Sequence, residues 1–155
     1  MQKIILLSIG HLKTAWLLEG LEDYRKRIER SCTLKILELP ASRERDPLKQ
    51  VADESRRMLK HIEKIDGDLW LLDEKGERMT SHEFSFLLGL ARDAGRSLTF
   101  ILGGAYGFTP EFKKSIAKRL RLSDMTLPHE LCRVLMLEQL YRGLEILMGS
   151  GYHHT

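Results

Sequence analysis

The chain has no long hydrophobic run, only two cysteines and almost no charge imbalance, and each shortage closes off a class of function. No apolar stretch in its 155 residues approaches the length, about 20 residues, that spans a bilayer. The apolar run behind Met1-Gln2-Lys3 stops at Ser8 and shows neither the core nor the cleavage site of a secretory signal, so a cytoplasmic location and no membrane partner are expected. Cys32 and Cys132 lie far apart, form no CxxC pair and read as reduced thiols. The six histidines include no HxxxH or HExxH, and no structural or catalytic metal is expected. The net charge of +3, from 25 basic and 22 acidic residues, does not by itself argue for nucleic acid. Basic residues do cluster at Arg25–Arg30, at Arg43 and Arg45, at Arg56-Arg57 and from Lys113 to Arg121. Such groups either neutralise phosphates or are solvated helix faces, and charge alone favours the second. The GxxxxGK[ST] phosphate loop is missing, and Gly10-His11 stands where a dinucleotide fingerprint would follow the first strand. Both absences argue against a nucleotide-dependent kinase or oxidoreductase.

What the chain does have is alternation. Short apolar runs at Ile4–Ile9, Leu34–Leu39, Leu69–Leu72 and Leu98–Leu102 read as strands. Leu122–Leu127 reads as a short fifth strand or an extended loop. Amphipathic stretches separate them. Thr14–Arg30 carries Trp16, Leu17, Leu21, Tyr24 and Ile28 near one face. Pro47 suits the first turn of a helix running to about Ile65. Asp73–Arg78 reads as a turn around Gly76, and Thr80 or Ser81 caps the next helix, with Glu83 in its first turn. Thr109-Pro110-Glu111 opens another, and Pro128-His129 opens the last, which runs to about Met148. The repeated β-α order predicts an α/β fold, a parallel sheet with helices on both faces, in a single domain over residues 1–155.

Ligands of such sheets bind at the carboxyl ends of the strands, so the loops there are the candidates. Gly103-Gly104-Ala105-Tyr106-Gly107 places three glycines directly after a strand, which permits close backbone approach to a ligand or simply a tight turn. Leu122-Ser123-Asp124-Met125-Thr126-Leu127-Pro128-His129 either presents backbone polar groups to a purine or is an ordinary strand end. The last helix is apolar nearly all round, which places it in a core or a dimer interface and obliges Arg133, Glu138, Gln139 and Arg142 to find partners. The tail, Gly151-Tyr152-His153-His154, joins a ring that can stack on a base to imidazoles that can move protons, or else is a frayed end.

Taken together and in order, these segments resemble the RlmH family of the SPOUT (α/β-knot) class, the large-subunit rRNA pseudouridine N3-methyltransferases. The resemblance covers essentially the whole chain. It rests on Leu71-Leu72-Asp73 with Gly76, on Phe100 to Gly107, on Leu122 to His129, on Arg133 to Arg142 with Glu138 and Tyr141, and on Tyr152-His153. Ala105-Tyr106 departs from the family pattern inside an otherwise intact glycine loop. The resemblance implies a deep C-terminal trefoil knot and S-adenosylmethionine bound by Leu72, Gly103 and Leu122, Ser123, Asp124, Met125, Thr126 and Leu127. It also implies a homodimer whose sites are completed across the interface, and a pseudouridine of 23S rRNA in the assembled ribosome as substrate. Of the residues near that site, His129 or His153 suits the role of proton acceptor, Arg142 that of anion stabiliser and Tyr152 that of a stacking platform. A non-catalytic RNA-binding or ribosome-assembly module, or a SPOUT enzyme with another RNA target, is the alternative.

Overall fold

A computed structural model describes residues 1–154. The chain alternates strands β1 (Lys3–Ile9), β2 (Thr33–Leu39), β3 (Asp68–Arg78), β4 (Leu98–Leu102) and β5 (Lys118–Arg121) with helices α1 (Ala15–Ile28), α2 (Pro47–Ile62), α3 (Ser81–Asp93), α4 (Pro110–Ser115) and α5 (His129–Met148). All strand pairings are parallel, in the order β2-β1-β4-β3-β5. The central strands β1 and β4 are apolar and buried on both faces, as a doubly covered parallel sheet requires. The edge strand β5, Lys-Arg-Leu-Arg, keeps its charges at the rim, which discourages further strand pairing.

Two cores follow from the alternation of side chains along each strand. Ile4, Leu6, Leu98, Phe100 and Trp70 point to one face, where they meet Ile28 of α1, Phe84 and Leu88 of α3, and Met136, Leu137 and Leu140 of α5. Ile5, Leu7, Ile9, Leu71 and Ile101 point to the other, against Met58 and Ile62 of α2 and Phe112 of α4. Moves toward the β2 edge place their helices (α1, α3) on the first face, and moves toward the β5 edge place theirs (α2, α4) on the second. Right-handed crossovers require that division.

Three sequence expectations need correction. The third strand does not turn back at Asp73 but continues through an irregularity to Arg78. The fifth strand is Lys118–Arg121, inside the basic run, so that of the two readings of Leu122–Leu127 the extended loop holds. The run's charges hid its strand character because edge positions tolerate them: Lys118 pairs with Asp68 at 3.1 Å, and Arg119 lies 3.6 Å from Asp73. Trp16 does not join the apolar face of α1 but stands 66% exposed. Elsewhere the local signals hold. Thr80, rather than Ser81, caps α3 in a reciprocal capping box with Glu83, and Asp46 caps α2 ahead of Pro47. No helix among the described residues is long and apolar enough to cross a membrane.

Candidate active site

The carboxyl ends of β3, β4 and β5 surround a cavity of about 490 Å³. The first wall comes from the irregularity in β3. Trp70–Leu72 pair with Lys118–Leu120, and the ladder resumes only at Glu77, again opposite Leu120. The intervening residues leave the ladder, which brings Asp73 and Glu74 to the cavity. Gly76 lets the chain cross back, since a Cβ there would stand 2.7 Å from the Leu120 carbonyl carbon. Asp73 has a side chain only 4% exposed, with Lys113 Nζ at 3.8 Å and Arg119 Nη1 at 3.6 Å. Neither cation closes to hydrogen-bond distance and Oδ1 accepts only from the Lys75 N–H at 3.3 Å, so Oδ2 remains available.

The second wall is the glycine loop. Gly107 sits at φ 72°, a conformation that favours glycine, and its N–H donates to the Gly104 carbonyl at 3.1 Å. Phe108 anchors the loop beneath, its ring 4.3 Å from that of Phe112. The Thr109 N–H donates to Ser55 Oγ at 2.9 Å, while the Thr109 hydroxyl accepts from Phe112 N–H and caps α4.

The third wall is the segment between β5 and α5. Leu122, Ser123, Met125, Thr126 and Leu127 line the cavity, as do Leu72 and Gly103, and His129 stands exposed at its mouth. Ser123 Oγ accepts from the Met125 N–H at 2.9 Å and shapes the turn. Asp124 is the exception among the expected cofactor residues, because its side chain is turned away. Its carboxylate pairs with Arg78 and, at 2.8 Å, with Arg121, whose guanidinium also donates to the Gly76 carbonyl. Hydrogen bonding from Arg78 holds the Asp124 carboxyl below the usual carboxylate range. Asp124 thus ties the third wall to the first from outside. Sequence reasoning missed Asp73 and Lys113 as lining residues, although Asp73 was already in the run that carried the resemblance.

Arg142, Tyr152 and His153 come together, but not at this cavity. They sit at the other end of α5 from His129, 13 residues and about 20 Å along the axis at the usual helical rise. Glu138 organises them. Its Oε1 accepts from Arg142 Nε at 3.0 Å and from the Tyr152 hydroxyl at 3.2 Å, and the Arg142 guanidinium lies 4.9 Å from the Tyr152 ring centre. Burial, reinforced by Tyr24 and Glu138, pushes the Tyr152 phenol up to about 12, so it stays protonated. His153 Nδ1 lies 3.1 Å from Arg142 Nη1. Arginine only donates, so Nδ1 is the acceptor and a neutral His153 carries its proton on Nε2. Burial first, then the neighbouring His82 and Arg142, lowers the His153 pKa and favours that neutral form. In this arrangement His153 can donate a proton but has no free nitrogen to receive one.

Arg133, Glu138, Gln139 and Arg142 of α5 find partners, although Arg133 Nε stays buried without one. Gln139 accepts from Ser81 Oγ at 2.7 Å. Arg133, 2% exposed, donates to the carbonyls of Ile9 and Gly10 and to Glu38 at 2.8 Å, and so holds the start of α5 on the ends of β1 and β2. Several apolar α5 residues on the remaining sides, Leu131, Val134, Leu135 and Ile146, stay half-buried. Among the described residues no group of three or more His, Cys, Asp or Glu is placed to hold a metal ion.

Comparison with known proteins agrees with this geometry. The family described as predicted SPOUT methyltransferases matches residues 2–153. The chain is 42% identical over 153 residues to a ribosomal RNA large subunit methyltransferase H of Geobacter sp. (strain M21), covering 98% of this chain and 99% of the relative. It is 38% identical over 161 residues to the protein of the same name from Clostridium kluyveri, covering 97% and 98%. Among solved structures, a methylase-family protein from Neisseria gonorrhoeae aligns with a TM-score of 0.53 at 12% identity, over 99% of this chain and 85% of that one. One from Haemophilus influenzae aligns at 0.51 and 10% identity, over 99% and 70%. At such identities these two structures speak for the fold.

Proposed function

The chain belongs to the SPOUT methyltransferase family and is an enzyme that methylates ribosomal RNA of the large subunit, and we propose that it moves the methyl group of S-adenosylmethionine to N3 of a pseudouridine in 23S rRNA. The observation that carries this reading is the convergence of Leu72, Gly103 and the 122–127 segment on one cavity. The lining suits the methyl donor. Leu72, Leu102, Leu122 and Leu127 offer apolar faces to a purine, the glycine loop offers backbone polar groups, and Asp73 beside Lys113 offers both signs of charge to an amino-acid tail. The volume lies within the range of small-ligand sites.

When bound, S-adenosylmethionine supplies an electrophilic methyl on a sulfonium. The chain's contribution is then to hold the base in line with that methyl and to manage one proton. N3 must shed its hydrogen to attack. Arg142, kept charged by Glu138, stabilises the resulting anion, Tyr152 stacks on the base, and His153 donates from Nε2 to a base carbonyl. His129, exposed at the cavity mouth, is the imidazole free to accept the proton.

Since His129 and Arg142 are about 20 Å apart along α5, one chain does not bring both to one nucleotide. The reading therefore requires a homodimer in which the tail cluster of one protomer meets the cavity of the other. The half-buried apolar sides of α5 are suited to that interface. The trefoil knot would lie in the segment from β4 to α5, and the substrate would be the assembled ribosome. Incubation of ribosomes and of naked rRNA with labelled donor, followed by mapping of the modified nucleotide, tests the reading. One labelled pseudouridine is expected, with ribosomes as the better acceptor. No transfer to either acceptor would overturn it.

A further inference from the structure

A second cavity, of about 420 Å³, lies at the carboxyl end of β2, between the loop that follows it and α2. Ser42, Arg43, Glu44, Asp53 and Arg57 line it. Arg57 donates from Nη1 to the Pro40 carbonyl at 2.6 Å and sets Nη2 3.3 Å from Asp53 Oδ2 in an ion pair, which leaves its buried Nε without a partner. An N–H withdrawn from water and left without an acceptor is costly, and an anion is its natural complement. Arg43 is exposed and makes no hydrogen bond or ion pair among the described residues. Two carboxylates line it and a third, Glu54, lies behind Ser42. Asp53 is already engaged by Arg56 at 2.5 Å and lies 3.3 Å from Arg57, and Glu44 is exposed. Over the stretch from Arg43 to Arg57, the cations Arg43, Arg45, Lys49, Arg56 and Arg57 face the carboxylates Glu44, Asp46, Asp53 and Glu54, a balance of five to four.

This cavity adjoins the donor cavity. The link is Glu54, 6% exposed, whose Oε2 accepts from the Ser42 N–H at 2.8 Å while its Oε1 lies directly under Gly104 of the glycine loop. One carboxylate therefore separates the wall of each cavity from that of the other. In the sheet, β2 and β4 are two places apart, or about 10 Å at the usual strand spacing. A strand of RNA with one nucleotide over the donor cavity reaches that far within a few residues.

We propose that the β2–α2 cavity seats a backbone phosphate of the substrate RNA, a few nucleotides from the methylated base, with Arg43 and Arg57 as its cations. The inference rests on the rRNA reading above and adds the track along which the RNA runs, across the carboxyl edge from β3 toward β2. It uses a basic cluster that charge counting alone assigned to solvent.

The test is binding of the intact protein to ribosomes over a series of salt concentrations, with Arg43→Ala and Arg43→Glu as variants. Arg43 is exposed and makes no hydrogen bond or ion pair among the described residues, so neither change threatens folding. Arg57→Ala is measured beside them. Arg43→Ala is expected to weaken ribosome binding about 3- to 10-fold and to flatten the slope of log affinity against log salt by about 1, and Arg43→Glu to weaken it further. Calorimetry with S-adenosylhomocysteine is expected to give wild-type affinity for both Arg43 variants. Unchanged ribosome affinity and slope, with methyl transfer intact, would overturn the phosphate site and leave the enzyme reading standing. Weaker binding with an unchanged slope would assign the cavity to a ribosomal protein and overturn it equally. Absence of transfer by the wild-type protein would overturn the functional reading, and this inference with it.

Discussion

Glu54 occupies the space that a side chain on Gly104 would need. Its Oε1 stands 3.0 Å from the position of a Gly104 Cβ, and Ile9 Cγ2 closes the other side at 3.4 Å. The carboxylate has little freedom to retreat, because Oε2 accepts from the Ser42 N–H at 2.8 Å. Gly104→Ala is therefore expected to destabilise the protein by about 1–2 kcal/mol and to weaken S-adenosylhomocysteine binding by displacing the loop. Urea unfolding and calorimetry read the two effects. In an Glu54→Ala background the added cost of Gly104→Ala should shrink, because the obstructing carboxylate is gone. Strict additivity of the two changes would show that they do not meet.

Gly76 faces a harder obstacle. A methyl there would lie 2.7–2.9 Å from backbone atoms of Arg119 and Leu120, which cannot swing aside as a side chain can. Gly76→Ala is expected to cost more than Gly104→Ala, about 3 kcal/mol or above. It should also weaken donor binding, since the same irregularity in β3 delivers Asp73 to the cavity. Equal unfolding midpoints for the two alanine variants would contradict this.

The Arg133–Glu38 pair should respond asymmetrically. Arg133 is 2% exposed, whereas the Glu38 side chain is 29% exposed. Glu38→Ala strands a buried guanidinium and also removes the acceptor of the Leu12 N–H, 2.8 Å away, so about 2–4 kcal/mol is expected. Arg133→Met fills similar space without charge and leaves Glu38 able to reach water, so a smaller loss, about 1–2 kcal/mol, is expected. Chemical denaturation of the two variants gives the order directly.

Docking of the tail should depend on pH. The His153 pKa in the docked tail is lowered by burial, then by His82 and Arg142, and the tail donates to Glu138 through Tyr152. A free tail has the ordinary histidine value of about 6.5. The undocked state then binds more protons in the window below that value, so docking is complete above it and weakens as the pH falls through the docked pKa. Imidazole NMR should show His153 titrating below the ordinary histidine value and the Tyr152 ring loosening along the same curve. A His153 titration above the ordinary value would refute it. His82→Ala should move the His153 midpoint upward.

The proposed homodimer, with each site shared across two protomers, makes a quantitative prediction for mixed subunits. Chains carrying Arg142→Ala and chains carrying Gly76→Ala should each be inactive in methyl transfer. After subunit exchange at equal amounts, half the dimers are mixed, and each mixed dimer has one site with both a sound cavity and a sound tail. Activity should therefore return to about a quarter of the wild-type level per chain. No recovery after verified exchange would mean that each protomer works alone.

How far the site could be read in advance depended on the range of the interactions. Strand and helix order, the caps at Thr80 and Thr109 and the glycine loop after β4 are legible because periodicity and capping act over a few residues. The fifth strand was missed because an edge strand needs no apolar alternation, and Lys-Arg-Leu-Arg looks like a solvated helix face. The supposed turn at Gly76 was misread for a related reason. A glycine that allows reversal also allows two backbones to touch, and only the neighbour, here Leu120, tells which.

Periodicity, turn chemistry and the segments that resemble the family were enough for the α/β alternation, for the loops that could meet a ligand and for the class of chemistry. The tertiary structure alone decided which side chains face the site. It turned Asp124 outward to Arg78 and brought Asp73 in, it buried Arg133 against Glu38 across 95 residues of chain, and it set the tail cluster a helix length from the cavity. Local patterns follow from the backbone's own geometry, whereas ion-pair partners and cavity walls are chosen by which segments the sheet order makes neighbours.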